Sequence, residues 1–194
     1  MILNLFYQKI ILSTKKENKF HILLKNSFIC ENNIIKMKKL LFSFLLIGFA
    51  LQAQTNLPDV SLTSLEGKKI AIKSEFAEKD KLYVFSFWAT WCTPCISELD
   101  EFNEIQEEWK KDINFEIIAV SIDDSRTQKR VKPLISGKGW EFQILLDLNQ
   151  DLKRALSIVN VPYTMVVKNG EIVHIQNGYV PGSEDILLEK LKSL

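Results

Sequence analysis

The sequence is sparing with the residues that bind metals, staple small folds or bend chains: 194 residues hold three cysteines, two histidines, seven glycines and five prolines. So little glycine and proline excludes a collagen-like chain. With 46% hydrophobic and 25% charged residues, the composition is that of a globular protein rather than a disordered tail or a multi-span membrane protein. An excess of one charge is also missing, at 25 Lys+Arg against 24 Asp+Glu. The balance is uneven along the chain, because residues 1–53 carry 8 basic and 2 acidic side chains, leaving 17 basic and 22 acidic from Gln54 onward. That acidic remainder has no basic stripe to neutralise phosphates, which argues against nucleic acid as a partner.

Long apolar runs are absent as well. The longest, Leu40–Leu51, has twelve residues, and at ~1.5 Å each it falls short of the ~30 Å bilayer core. Met37-Lys38-Lys39 precedes it and Gln52-Ala53-Gln54 follows, so a basic region, an apolar region and a small residue at the exit spell a secretory signal cleaved near Ala53. A buried core helix would not explain the basic flank and the small-residue exit together. No cysteine follows the apolar run, so a lipid-anchored signal is not expected. Residues 1–36 read as a non-native or discarded extension, with the start expected at Met37. The expected organisation is therefore 1–36 extension, 37–53 signal peptide and 54–194 a single domain, without a stable membrane span after cleavage.

Cys30 and His21 would then be lost, leaving Cys92, Cys95 and His174. Structural zinc needs four ligands, which one cysteine pair and one histidine do not supply. A disulfide between residues three apart closes too small a loop to stabilise much. Redox exchange remains, in a compartment where thiols can be oxidised.

The surroundings of the pair agree. Leu82–Trp88 is apolar, β-branched and aromatic without Gly or Pro, as expected of a strand buried on both faces. Ile96, Leu99, Phe102, Ile105 and Trp109 recur every three or four residues, marking one helix face. Pro94 suits a first helical turn. Glu98, Asp100, Glu101 and Glu104 early in the helix and Lys110-Lys111 at its end are expected to match the helix dipole. Both cysteines thus sit where a strand passes into a helix N-terminus, whose unpaired N–H groups stabilise a thiolate. Cys92, least covered, is the expected nucleophile, and Cys95, one turn inside, the resolving thiol. Trp88 is expected in the core; for Trp91 core packing and an aromatic wall of the site both stand.

The stretch Phe87-Trp88-Ala89-Thr90-Trp91-Cys92-Thr93-Pro94-Cys95 resembles the active site of thioredoxin-fold proteins, and in an exported chain it looks most like the TlpA/ResA-like thiol–disulfide oxidoreductases. The resemblance spans about Leu57 to Leu194. Its specific motifs are the Trp91–Cys95 stretch, Glu98 and Val161-Pro162. It implies an α/β thioredoxin-like fold: a central mixed β-sheet flanked by helices, with an N-terminal β-hairpin and an inserted strand-helix unit. Periodicity agrees, with strands expected at Phe115–Ile122, Phe142–Leu148, Tyr163–Lys168 and Glu171–Gln176, the last two flanking the turn Asn169-Gly170. Ser183–Leu194 reads as a closing helix, Leu57–Ile72 as a hairpin turning at Glu66-Gly67, and Phe115 to about Lys153 as the inserted unit.

By the same resemblance the Val161-Pro162 bond is cis and beside the cysteines, leaving the Val161 backbone free to contact substrate; unaided, the sequence reads as trans-proline starting an edge strand. Substrate contacts are expected from Trp91, Thr93, Pro94, Val161 and Pro162. Glu98, alone a surface acid, becomes by resemblance a proton acceptor near Cys95. Small thioredoxins carry a buried aspartate six residues before the first cysteine; here Ser86 stands there, which strengthens Glu98 as substitute. Leu99-Asp100 replaces the apolar residue and kinking proline of many relatives, so a straighter helix is expected.

Other residues are weaker candidates. His174 shares a strand face with Ile172 and Gln176, with Val173 and Ile175 opposite, and reads as a half-exposed histidine. Asp123-Asp124-Ser125 reads as a cap between strand and helix. The function implied is an exported, periplasmic protein-disulfide reductase with no cofactor beyond the Cys92–Cys95 disulfide and no metal. Its expected partners are protein disulfide substrates, such as apocytochrome c or misoxidised exported proteins, and a membrane thiol reductase as electron donor. Reduction is preferred because Thr93-Pro94 carries no basic residue between the cysteines. A thiol peroxidase of the same fold is disfavoured by Phe85 where a proline is needed. A copper(I)- or partner-binding module is the remaining alternative.

Overall fold

The computed structural model of the protein describes residues 56–194; the expected signal peptide and the extension before it lie outside the described residues. A seven-stranded mixed sheet runs through this region in the order β2-β1-β5-β4-β3-β6-β7. The strands are β1 (Ser61–Ser64), β2 (Lys69–Ala71), β3 (Leu82–Trp88), β4 (Phe115–Ser121), β5 (Gln143–Leu146), β6 (Tyr163–Lys168) and β7 (Glu171–Asn177). The helices are α1 (Ile72–Glu75), α2 (Thr93–Trp109), α3 (Val131–Lys138), α4 (Asp151–Ala155) and α5 (Ser183–Ser193). This is the expected thioredoxin-like architecture, and among the described residues no helix is long and apolar enough to cross a membrane.

Position in the sheet explains composition. Every residue of β3 is buried, because it lies between β4, parallel, and β6, antiparallel, with side chains packed on both faces. One face bears Tyr83 and Phe85, both edge-on to Phe76 just after α1; the other bears Ser86 and Trp88, the latter edge-on to Trp140. The segments β3-α2-β4 and β4-α3-β5 are crossovers between parallel strands. Helix α2 turns Leu99, Phe102 and Trp109 inward and packs against α5, whose Leu187 and Leu191 are buried. The helix is continuous over 17 residues, and Asp100 accepts hydrogen bonds from Lys138 and Trp140.

The hairpin turns where expected. Gly67 has φ +88°, a conformation glycine adopts without steric cost, and Ser64 Oγ accepts the N–H groups of Glu66 and Lys68. Less foreseeable is that β1 pairs antiparallel with β5 and so extends the sheet. The strand expected at Phe142–Leu148 is shorter: the Asp147 N–H still donates to the Ser121 carbonyl, but its side chain accepts the N–H groups of Leu152 and Lys153 and the chain passes into α4. In β7 the register slips, with Val166 opposite His174 but Val167 opposite Ile172. Val173 is the extra residue, and the strict alternation expected around His174 is interrupted there.

Candidate active site

Strand β3 ends at Trp88 and the chain turns through Ala89, Thr90 and Trp91, the turn closing with a 3.0 Å hydrogen bond from the Cys92 N–H to the Ala89 carbonyl. Cys92 is the N-cap of α2, and its carbonyl accepts the first intrahelical bond, from Ile96. Pro94 stands in the first turn, where no amide hydrogen is missed. The N–H groups of Thr93 and Cys95 have no acceptor within the helix, so the positive end of α2 points toward the cysteines. The two are joined as a disulfide; Cys92 is 5% exposed and Cys95 fully buried, the order of access expected of nucleophile and resolving thiol.

One sequence expectation needs correction. The first turn of α2 holds no acidic residue and the last turn no basic one; the acids begin at Glu98 and Lys110 is the C-cap. The charges therefore do little to complement the dipole. A carboxylate in the first turn would compete with a thiolate for the same N–H groups, so its absence leaves that end to sulfur.

Glu98 is fully buried, one turn beyond Cys95. Its Oε2 accepts the Ser86 hydroxyl at 2.8 Å and its Oε1 the Thr164 hydroxyl at 2.9 Å. Burial pushes the carboxyl up to about 7, against the two hydrogen bonds, which pull it down. Ser86 and Thr164 face each other across β3 and β6, a register pairing invisible in linear sequence.

The Val161-Pro162 bond is cis, which settles the alternative of a trans-proline. Pro162 is buried and leads directly into β6, whose Tyr163 pairs with Phe87 near the cysteine end of β3; Val161 is half-buried. Thr93 and Pro94 are exposed. Trp91 is 59% exposed, which excludes core packing for it, whereas Trp88 is wholly enclosed as expected. His174 is half-buried, with burial and then Lys190 lowering its pKa, and among the described residues no group of three potential metal ligands forms. An open cleft lined by Lys81, Lys110, Glu116 and Gln143 lies at the far ends of β3 and α2, away from the cysteines.

Asp123 is the residue sequence reasoning misplaced. Asp124 does cap a turn, accepting the N–H groups of Arg126 and Thr127, but Asp123 is buried and turned toward Thr90 in the turn before Cys92.

A protein-family profile described as the AhpC/TSA family matches residues 53–175, well over half of the sequence. The chain belongs to the AhpC/TSA family. That match takes in every cysteine, glutamate and cis-proline residue just described. Within the curated proteins it is similar to the thiol-disulfide oxidoreductase ResA of Bacillus anthracis, 32% identical over 117 residues, which are 60% of this chain and 64% of ResA. An uncharacterized protein of Haemophilus influenzae is 33% identical over 135 residues, covering 66% of this chain and 83% of that one. Among solved structures, an uncharacterized thioredoxin-like protein from Porphyromonas gingivalis is 40% identical with a TM-score of 0.63, covering 71% of this chain and 90% of the other. These likenesses bear out the resemblance drawn from Trp91–Cys95. The chain thus spans just under two thirds of the length of the ResA proteins of Bacillus that it matches.

Proposed function

We propose that this AhpC/TSA-family chain is an exported thiol–disulfide oxidoreductase that reduces disulfides in other exported proteins. The observation that carries the reading is a cysteine pair at the open N-terminus of α2 with a buried Glu98, its carboxyl pushed up to about 7, one turn behind it. The Cys92 thiolate attacks a substrate disulfide, forming a mixed disulfide and releasing one substrate sulfur as thiolate. Cys95 then gives up its proton, with the Glu98 carboxylate as acceptor, and attacks the Cys92 sulfur. The Cys92–Cys95 disulfide forms and the second substrate sulfur leaves, so two electrons pass to the substrate. An external thiol reductase at the membrane restores the dithiol with two electrons and two protons.

Trp91, Thr93 and Pro94, exposed beside Cys92, form with the half-buried Val161 the surface on which an extended substrate segment rests, and the buried cis Pro162 sets the course of the Val161 backbone near the same end of β3. The signal-like residues 37–53 and the ResA-named relatives support an extracytoplasmic, periplasm-type location. Substrates in this reading are misoxidised exported proteins or an apocytochrome c, and the lack of a basic residue at Thr93-Pro94 supports reduction over oxidation.

The test is glutathione equilibration of the full chain together with insulin reduction. A potential at or below about −230 mV, with reduction lost in Cys92→Ser, is the expected result. A potential near about −120 mV would reverse the direction, and failure to form a reversible disulfide would remove the reading altogether.

A further inference from the structure

We propose that Asp123 is a positioning residue for the attacking cysteine, acting through Thr90. Asp123 follows β4 and is 1% exposed. Its Oδ2 accepts the Thr90 N–H at 2.8 Å and its Oδ1 accepts the Thr90 hydroxyl at 2.7 Å, so one carboxylate holds both polar atoms of a single loop residue. Ser121 braces the carboxylate from behind: its hydroxyl donates to Oδ2 at 2.9 Å, and the Asp123 N–H donates to Ser121 Oγ at 3.2 Å. The Ile122 N–H bonds the Trp88 carbonyl at 2.9 Å, extending the β3–β4 pairing into this corner.

Thr90 is the second residue of the Ala89–Cys92 turn, and the turn decides where Cys92 meets the N-terminus of α2. With its end closed on Ala89 and its middle clamped by Asp123, the loop has little freedom to carry the Cys92 sulfur away from the unpaired N–H groups that stabilise its thiolate. A carboxylate suits the task because it is acceptor-only and three donors converge on it; an amide would turn an N–H toward one of them. The partner chemistry also explains the residue before Trp91: only Ser or Thr offers a hydroxyl together with the backbone N–H at that distance.

This inference rests on the reading of Cys92 as the attacking thiol, and its test separates the two. The full chain is reduced, and alkylation of Cys92 by iodoacetamide is followed from pH 4 to 9 by mass spectrometry of the Cys92 peptide. In Thr90→Val and Asp123→Asn the alkylation midpoint is expected to move upward and the rate at pH 7 to fall about three- to tenfold, the size of a lost buried hydrogen bond. Thr90→Ser, which keeps both bonds, is expected within about twofold of the parent. Thr90→Val retains the Asp123 charge and serves as the test even where Asp123→Asn fails to fold. A parental Cys92 profile in Thr90→Val, with only its melting temperature lowered, would overturn the proposal by leaving a structural role alone. A downward midpoint in Asp123→Asn would overturn it too, since that is the sign of simple charge repulsion. If parental Cys92 is no more reactive than a free cysteine of pKa about 8.5, the attacking-thiol reading fails and this inference falls with it.

Discussion

The hydroxyl of Ser86 donates to Glu98 Oε2 across 2.8 Å, joining β3 to α2 where both residues are fully buried. With Thr164 on the other oxygen, the carboxyl is enclosed by two hydroxyls and no cation contributes to its proton affinity. A hydroxyl can donate or accept by rotation, so the same pair serves the ionised and the protonated carboxyl. Burial outweighs both hydrogen bonds, and a group that ordinarily titrates near 4.5 is carried to about 7. A carboxyl at that value is matched to taking a proton from a thiol at neutral pH.

Glu98 makes stability depend on pH with a definite sign. Its proton is held more tightly in the folded chain than in the unfolded one, so its contribution is complete below about pH 4.5 and is lost as pH rises through about 7. The shift corresponds to roughly 3 kcal/mol. In denaturant titrations from pH 4.5 to 8, the parent is expected to lose about that much relative to Glu98→Gln, which has nothing to ionise. A difference between the two chains that stays constant with pH would show that Glu98 titrates as an ordinary surface carboxyl.

Removing a donor should act in the opposite direction from removing the charge. Ser86 and Thr164 both favour the Glu98 anion, so Ser86→Ala or Thr164→Val should raise its pKa further, by on the order of one unit each. The rising limb of the pH–rate profile for insulin reduction is then expected to move to higher pH, most in the double variant. A limb that moves down, or not at all, would mean that Glu98 does not accept the Cys95 proton.

The contrast between Glu98 and Asp123 shows what linear sequence carries and what it does not. Strand β3, helix α2 and the turns at Gly67 and Asn169-Gly170 are local patterns, set by apolar periodicity and by residues that tolerate positive φ, and all lie where the sequence puts them. The cysteines share that legibility because strand end, Pro94 and helix face occur within one short stretch. What depends on register across the sheet stays hidden: the Ser86–Thr164 pairing around Glu98, the antiparallel union of β1 with β5, and the extra residue Val173 in β7. Asp123 follows the same rule, for its partner Thr90 is 33 residues away. A strand-end Asp reads locally as a cap because its usual partners are the next two or three N–H groups, and here Asp124 takes that role.

Cys95→Ser should trap the reaction halfway. Cys92 retains its place at the helix N-terminus, but no thiol is left to attack the mixed disulfide. Incubation with an oxidised protein substrate is expected to give a covalent, dithiothreitol-sensitive complex through Cys92, absent in Cys92→Ser. Complexes of equal yield through Cys95 in Cys92→Ser would reverse the roles, against the 5% exposure of Cys92 and the complete burial of Cys95.

Trp91 separates substrate contact from folding. A tryptophan 59% exposed beside Cys92 adds little to core burial, so Trp91→Ala should change stability by no more than about 0.5 kcal/mol. Removing an aromatic surface on which a partner packs costs binding, commonly about 1 kcal/mol or more, so KM for a protein substrate should rise several-fold. A small disulfide such as oxidised glutathione covers less of that surface and should be reduced at nearly the parental rate. The comparison decides what the side chain does: equal losses on the large and small substrates would place the effect on Cys92 itself, and a loss confined to the protein substrate would mark Trp91 as the wall against which that substrate is held.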